Sequence, residues 1–240
     1  MTRTGTLASI PLVVAFLLCA AVTTTFAQTR SRLVNRPAAE PAPRTVRIED
    51  DFSEHQHGWT TGYSDYSPAN EMIDFESGLR ELPQELNDDG TGLFIAGTNV
   101  SDDLFMFLKK RLDESNGIYP AQQYEIEYTI TFASNVGEGC VGIGGSPGDS
   151  VYLKAGASSE EPRVILDETD NRYVMTIDKG NQSNSGRAAS VAGTIANGTT
   201  NCQTDDPFVS VILNHLHPRL VWSDDDGTIW LVVGTDSGFE

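Results

Sequence analysis

Between positions 124 and 132 apolar and polar residues alternate without a break. Tyr124, Ile126, Tyr128, Ile130 and Phe132 share one face, and Glu125, Glu127, Thr129 and Thr131 share the other. A strict period of two describes a half-buried β-strand and excludes an amphipathic helix, whose apolar positions recur every 3.6 residues. Such a strand needs a sheet with one face against a core. The surrounding runs supply its partners. Residues 49–52 read as a first short strand, followed by a loop in which Trp59 is an aromatic anchor. Residues 92–98 and 104–108 are further strands, the second apolar enough to be buried on both faces. Residues 80–87 are weakly helical or irregular, and residues 120–123 are a turn. Strands are also expected over 172–177, 207–213, 219–222 and 228–233, the last after an Asp-Asp-Gly turn. Short strands, turn residues between them and almost no helical periodicity predict an all-β fold, a β-sandwich with long Gly-rich loops.

Residues 132–158 follow the alternating strand, and we read the chain as organised around them. They hold Cys140, seven glycines and two short apolar runs, Val141 to Ile143 and Val151 to Leu153. We read the runs as two strands joined by the Ser146-Pro147-Gly148-Asp149 turn. No Gly-Lys-Ser/Thr triplet closes a phosphate loop, and a dinucleotide fingerprint begun at Gly142 would need glycine where Pro147 stands. The glycines are therefore read as structural, at bends and close backbone approaches.

Residues 1–27 have the form of a secretory leader: Arg3, an apolar core over 10–22, and a small-x-small site at Thr25-Phe26-Ala27. The core is too short to span a bilayer, so no membrane span is expected. Leu18 before Cys19 argues against a lipidated leader. Residues 28–45, rich in Pro and Arg, are a linker, and residues 46–240 form a single domain. Cleavage after Ala27 leaves Cys140 and Cys202, whose expected state in an oxidising compartment is a disulfide. Closing so long a loop is worth about 4 kcal/mol in the chain-entropy model. From Ile48 onward 10 cations face 33 anions, a net charge of −23. That field excludes nucleic acid as a partner, while the leader places the chain outside the cytoplasm, secreted or in the periplasm or envelope.

Asp50-Asp51-Phe52 with Gly58-Trp59, and the run Tyr119-Pro-Ala-Gln-Gln-Tyr-Glu-Ile-Glu-Tyr-Thr-Ile-Thr-Phe-Ala133, resemble jelly-roll carbohydrate-binding modules. The body as a whole is similar to a family of uncharacterised secreted bacterial proteins, through Ser101-Asp-Asp-Leu-Phe-Met-Phe, Asp178-Lys-Gly-Asn-Gln-Ser and Trp230-Leu-Val-Val-Gly-Thr-Asp-Ser-Gly-Phe. This resemblance extends over nearly all of residues 48–240 but brings no activity with it. The first resemblance implies a jelly-roll sandwich and a structural calcium near the first strand, at Glu49, Asp50 and Asp51. It also implies a further strand beside the first one, which a chain stopping at Glu240 directly after a turn is expected to lack.

Five constellations could carry chemistry. The histidines form two His-x-His pairs, His55/His57 and His215/His217; on extended backbone each pair presents two imidazoles to one side, so four ligands would meet a transition metal if the pairs came together. Acidic clusters suit calcium, yet no EF-hand fits: Trp222 and Ala96 stand where ligands are needed. Paired loop carboxylates would suit an extracellular hydrolase, but no pair stands out. Gly144-Gly-Ser146-Pro-Gly148 has the letters of a nucleophile elbow and leads to a strand instead of a helix. Finally, Tyr63, Asp65 and Tyr66, read as lying in a loop, with Asp178, Lys179 and Asn181 as polar partners, combine aromatic faces and hydrogen-bonding groups in the manner of a sugar site. The leading expectation is a secreted, non-catalytic binding protein for glycan or a cell-surface polymer. An extracellular hydrolase and a structural envelope protein are the alternatives.

Overall fold

The computed structural model describes residues 45–69, 74–98, 103–142, 145–202 and 206–238, and the backbone of 18–24. The strands in order are β1 (Leu18–Thr24), β2 (Thr45–Asp50), β3 (Thr60–Ser64), β4 (Glu76–Glu81), β5 (Thr91–Ala96), β6 (Phe105–Leu112), β7 (Gln123–Ser134) and β8 (Val151–Ser158). They continue with β9 (Val164–Asp167), β10 (Arg172–Met175), β11 (Gly180–Asn181), β12 (Asn184–Ser185), β13 (Ala189–Thr194), β14 (Val209–Leu216), β15 (Val221–Trp222) and β16 (Ile229–Ser237). Single 3-10 turns at Gln84–Leu86 and Glu114–Asn116 are the helical elements among the described residues. The fold is all-β.

Two five-stranded antiparallel sheets form the body. One runs β14-β7-β1-β2, with β15 also on β7; the other runs β13-β8-β16-β6-β3. The alternating face of β7 decides how they meet. Tyr124, Ile126, Tyr128, Ile130 and Phe132 are at most 1% exposed and pack against Leu153, Ala155 and Ala157 of β8 and Leu231 and Val233 of β16. Both hydroxyls that this face brings inside are satisfied: Tyr128 donates to the Gly156 carbonyl at 2.6 Å, and the Tyr124 hydroxyl accepts from the Tyr119 N–H at 2.7 Å. Each such buried side chain contributes about 1.5–3 kcal/mol relative to exposure, so β7 alone carries much of the drive to pack the sheets.

The second sheet is covered on its other side too. Residues 159–188 fold over it as β9–β12, and Phe105, Phe107 and Val232 from the sheet meet Ile177 and Ala188 from the cover in a smaller core. This is why the run at 104–108 is apolar on both faces.

Several sequence expectations change. The first strand expected in the Gly-rich stretch does not form: Val141 is 99% exposed, and its neighbourhood holds only an isolated bridge between Gly142 and Gly145. Ile143 and Gly144 lie outside the described residues. The glycines do serve close approach, since a Cβ on Gly137 would stand 2.3 Å from the Asn201 carbonyl oxygen and one on Gly148 2.4 Å from that of Gly137. The Cys140–Cys202 disulfide closes this crossing, with Cα atoms 5.4 Å apart and a sequence separation of 62. Tyr63 sits in a strand, not a loop, because residues 60–64 add to the edge of β6. Finally, β1 comes from the stretch read as the leader core, so the sheet takes in residues from before the linker that the sequence reading left outside the domain.

Candidate functional site

The end of β3 and the start of β10 meet at the edge of the second sheet. The Asp65 N–H donates to the Tyr173 carbonyl at 2.6 Å, and the Tyr173 N–H to the Tyr66 carbonyl at 2.9 Å. Asp65 takes the left-handed conformation, φ 66°, which Asp tolerates better than most residues. This turn puts four half-buried aromatics together. Tyr63 stacks on Phe75 with centroids 3.9 Å apart, and Tyr66 meets Phe75 edge-on at 5.0 Å and Tyr173 at 4.9 Å. The Tyr63 hydroxyl donates to the Glu76 carbonyl.

Behind the rings runs a chain of six charges. Arg172 donates to the Asp65 carbonyl at 2.7 Å and to Asp103 Oδ2 at 3.0 Å. Lys179 bridges Asp65 and Asp236, at 2.9 Å to each. Lys154 closes the chain at 2.7 Å from Asp236, with further bonds to the Lys179 and Asn184 carbonyls. Arg172 and Asp103 keep side-chain exposures of 34% and 22%, whereas Lys154 and Asp236 have none. The chain thus runs from a wet rim to a dry interior. Asp236 Oδ2 receives Lys154, Lys179 and the Gln182 N–H, while its Oδ1 is buried with no hydrogen-bond partner among the described residues.

These positions set the protonation. Burial, and then the charge of Asp65, push the Asp103 carboxyl up to about 6. Burial lowers the pKa of Lys154 despite its contact with Asp236. Burial also works against the charge on Lys179, but Asp236 and Asp65 together outweigh it and raise its pKa.

Of the residues singled out from sequence, Tyr63, Tyr66, Asp65 and Lys179 come together here. Lys179 is 5% exposed and committed to two carboxylates, so it organises the site from within. Asp178 and Asn181 do not join: Asp178 accepts from the Gly180 and Arg187 N–H groups, and Asn181 lies exposed in the β11–β12 hairpin. Tyr173, Arg172, Asp103, Asp236 and Phe75 were missed. Apart from the adjacent Arg172 and Tyr173 they are scattered over the chain, and no spacing links them.

The metal candidates have other occupations. Asp50 is buried against Lys110, 2.7 Å and 2.9 Å to its two oxygens, and also accepts the Trp59 indole N–H at 2.9 Å. The Lys110 ammonium stands where a cation would. Glu49 pairs with Arg47, and Asp51 accepts from Ser53. Trp59, 1% exposed, is the core anchor. His55 and His57 lie edge to face at 6.2 Å beside Phe52.

His215 and His217 instead face one hydroxyl, with Ser190 Oγ 2.8 Å from His215 Nε2 and 2.8 Å from His217 Nδ1. His217 Nε2 also meets the Arg187 carbonyl, which can only accept, so His217 is protonated at Nε2. Its Nδ1 then accepts from Ser190, and Ser190 accepts from His215 Nε2–H. Ser190 is 1% and His217 2% exposed, so this trio clamps β13 to β14 across the two sheets and does not present a nucleophile. Among the described residues no group of three or more His, Cys, Asp or Glu is arranged to hold a metal, and no helix is long and apolar enough to cross a membrane. No family model matches the chain, and no curated protein or solved structure is detectably similar to it.

Proposed function

We propose that the protein is a secreted, non-catalytic binding module of jelly-roll type that holds a glycan or cell-surface polymer at the rim of Tyr66, Tyr173, Asp65, Asp103 and Arg172. One observation carries this reading: two half-buried aromatic rings lie beside a guanidinium and a carboxylate that still reach solvent. Sugars present C–H faces that pack on rings and hydroxyls that need charged or amide partners. Tyr63, backed by Phe75, holds the rings in place and offers less of its own face. The carboxylates here are held by cations, an arrangement suited to fixed hydrogen bonding more than to proton transfer.

A glycan array followed by titration calorimetry tests it. Tyr66→Ala and Tyr173→Ala should each weaken binding by about 1–3 kcal/mol, the range for losing a packed aromatic. Trp222→Ala, on the outer face of the other sheet and 54% exposed, should leave it unchanged. A native protein that binds nothing on the array removes the proposal. The raised Asp103 pKa favours a second reading, a hydrolase with Asp103 as general acid. Turnover of a glycosidase or esterase substrate that Asp103→Asn abolishes would establish it in place of the first.

A further inference from the structure

The order β14-β7-β1-β2 places a strand from the leader region in the middle of a sheet, not at its edge. β1 makes six residue pairs with β2 on one side, from Leu18 opposite Asp50 to Thr23 opposite Thr45. It makes six more with β7 on the other, from Cys19 opposite Thr129 to Thr24 opposite Tyr124. Both of its edges are therefore satisfied by neighbours that belong to the body. Without β1, β2 loses its link to the sheet, and the adjoining stretch of β7 is left with an unpaired row of N–H and C=O groups. Such an edge is a template for another strand. The stretch that fills it ends before Ala27, where leader cleavage is expected.

We infer that the gap between β2 and β7 is a strand-accepting slot, and that its ligand once the leader is gone is an extended peptide of about six residues with apolar side chains at alternate positions. The dimensions come from the pairing itself, and the pattern from the register. Position 20 lies between Ile48 and Tyr128, and position 22 between Val46 and Ile126. Ile126 and Tyr128 are fully buried, and Val46 and Ile48 pack on the same core, so this register selects apolar residues. Positions 21 and 23 lie between Arg47 and Glu127 and between Thr45 and Glu125, on the opposite face, where polar residues fit. Leu18–Thr24, Leu-Cys-Ala-Ala-Val-Thr-Thr, satisfies this pattern and carries neither charge nor proline. Recognition would be by strand addition: backbone hydrogen bonds supply affinity, and alternate side chains supply selectivity.

The inference goes beyond the glycan reading and uses different residues. It depends on leader cleavage only for when the slot empties, and the test makes that cut deliberately. A full chain with a protease site engineered between Ala27 and Thr45 is folded, cut and passed through gel filtration. The leader fragment should stay with the body and be displaced by a labelled Leu18–Thr24 peptide. A peptide carrying Val22→Asp should bind at least tenfold more weakly, Val22→Pro, which lacks a backbone donor, should also fail, and Thr23→Lys should bind like the native peptide. Loss of the fragment from a body that stays folded and does not rebind the peptide overturns the inference. So does equal binding of the Val22→Asp and Thr23→Lys peptides. Unfolding of the body on release also overturns it, since β1 would then be a permanent strand and not an exchangeable ligand.

Discussion

The molecule buries acid–lysine contacts in two places, and they are built differently. Between the sheets, Asp50 meets Lys110 and Trp59, and both carboxylate oxygens have donors. Under the β9–β12 cover, Asp236 gathers Lys154, Lys179 and the Gln182 N–H on one oxygen and leaves the other bare. The first is a closed pair at the margin of an apolar core. The second is the inner end of a chain that reaches solvent at Arg172 and Asp103. A closed pair has little left to offer a ligand. A chain with an unsatisfied interior end and a wet outer end can respond to what binds at its rim, and the aromatic rings sit there.

Breaking the two centres should separate them. Asp236→Ala leaves two buried ammonium groups without their shared carboxylate and should cost about 3–5 kcal/mol in denaturant unfolding, the range for removing one partner of a buried pair. Replacing the whole Asp50–Lys110 pair, as Asp50→Leu with Lys110→Met, should cost less, about 1–3 kcal/mol, because apolar residues of similar volume often substitute for a closed pair and the main loss is the acceptor of the buried Trp59 N–H. A double variant that loses as much as Asp236→Ala would erase the distinction.

The pH dependence sharpens it further. Asp103 has a folded pKa of about 6 against an ordinary 3.8, so the folded chain binds its proton first. Its charged form works against folding above pH 6, and that penalty fades as the pH falls from 6 towards 3.8. Asp103→Asn should therefore be more stable than the native protein at pH 8, with the gain gone near pH 4. The histidine clamp has the opposite sign. Burial first, then the neighbouring charge of His217 on His215 and of Arg219 on His217, holds both below the ordinary 6.5. The unfolded chain takes those protons first, so this contribution is present in full above pH 6.5 and is lost as the pH falls through the folded values. Thermal melts at pH 5 and 8 should show His217→Asn flattening the acid limb. A native acid limb that survives this change would place the titration elsewhere.

The smallest expected effect is Trp59→Phe. It keeps most of the ring in the core and removes one donor to Asp50, which Lys110 still satisfies, for a loss of about 1–2 kcal/mol. A larger loss would mean that the inner pair depends on its neighbour more than its geometry implies.

What could be read without coordinates was whatever local periodicity and chemistry dictate. The β7 alternation, the double-sided burial of β6, the buried Trp59 and the all-β class follow from which side chains must leave water. The disulfide between Cys140 and Cys202 follows from two cysteines left once residues 1–27 are read as a leader. What could not be read arises where distant segments meet. Residues 60–64 are small and polar enough to pass for a loop, and become a strand because the edge of β6 offers hydrogen bonds. Val141 looks like a strand start and is left in solvent because no partner backbone reaches it in register. The chain of charges joins positions 65, 103, 172, 179 and 236, separated by up to 171 residues, through contacts that no local spacing records. Residues 18–24 look the same in sequence whether they are read as part of a leader or lie between β2 and β7. Only the sheet order shows that the fold has a place for a strand there, because a hydrogen-bonding vacancy is a property of two distant edges held at strand spacing, not of either sequence alone.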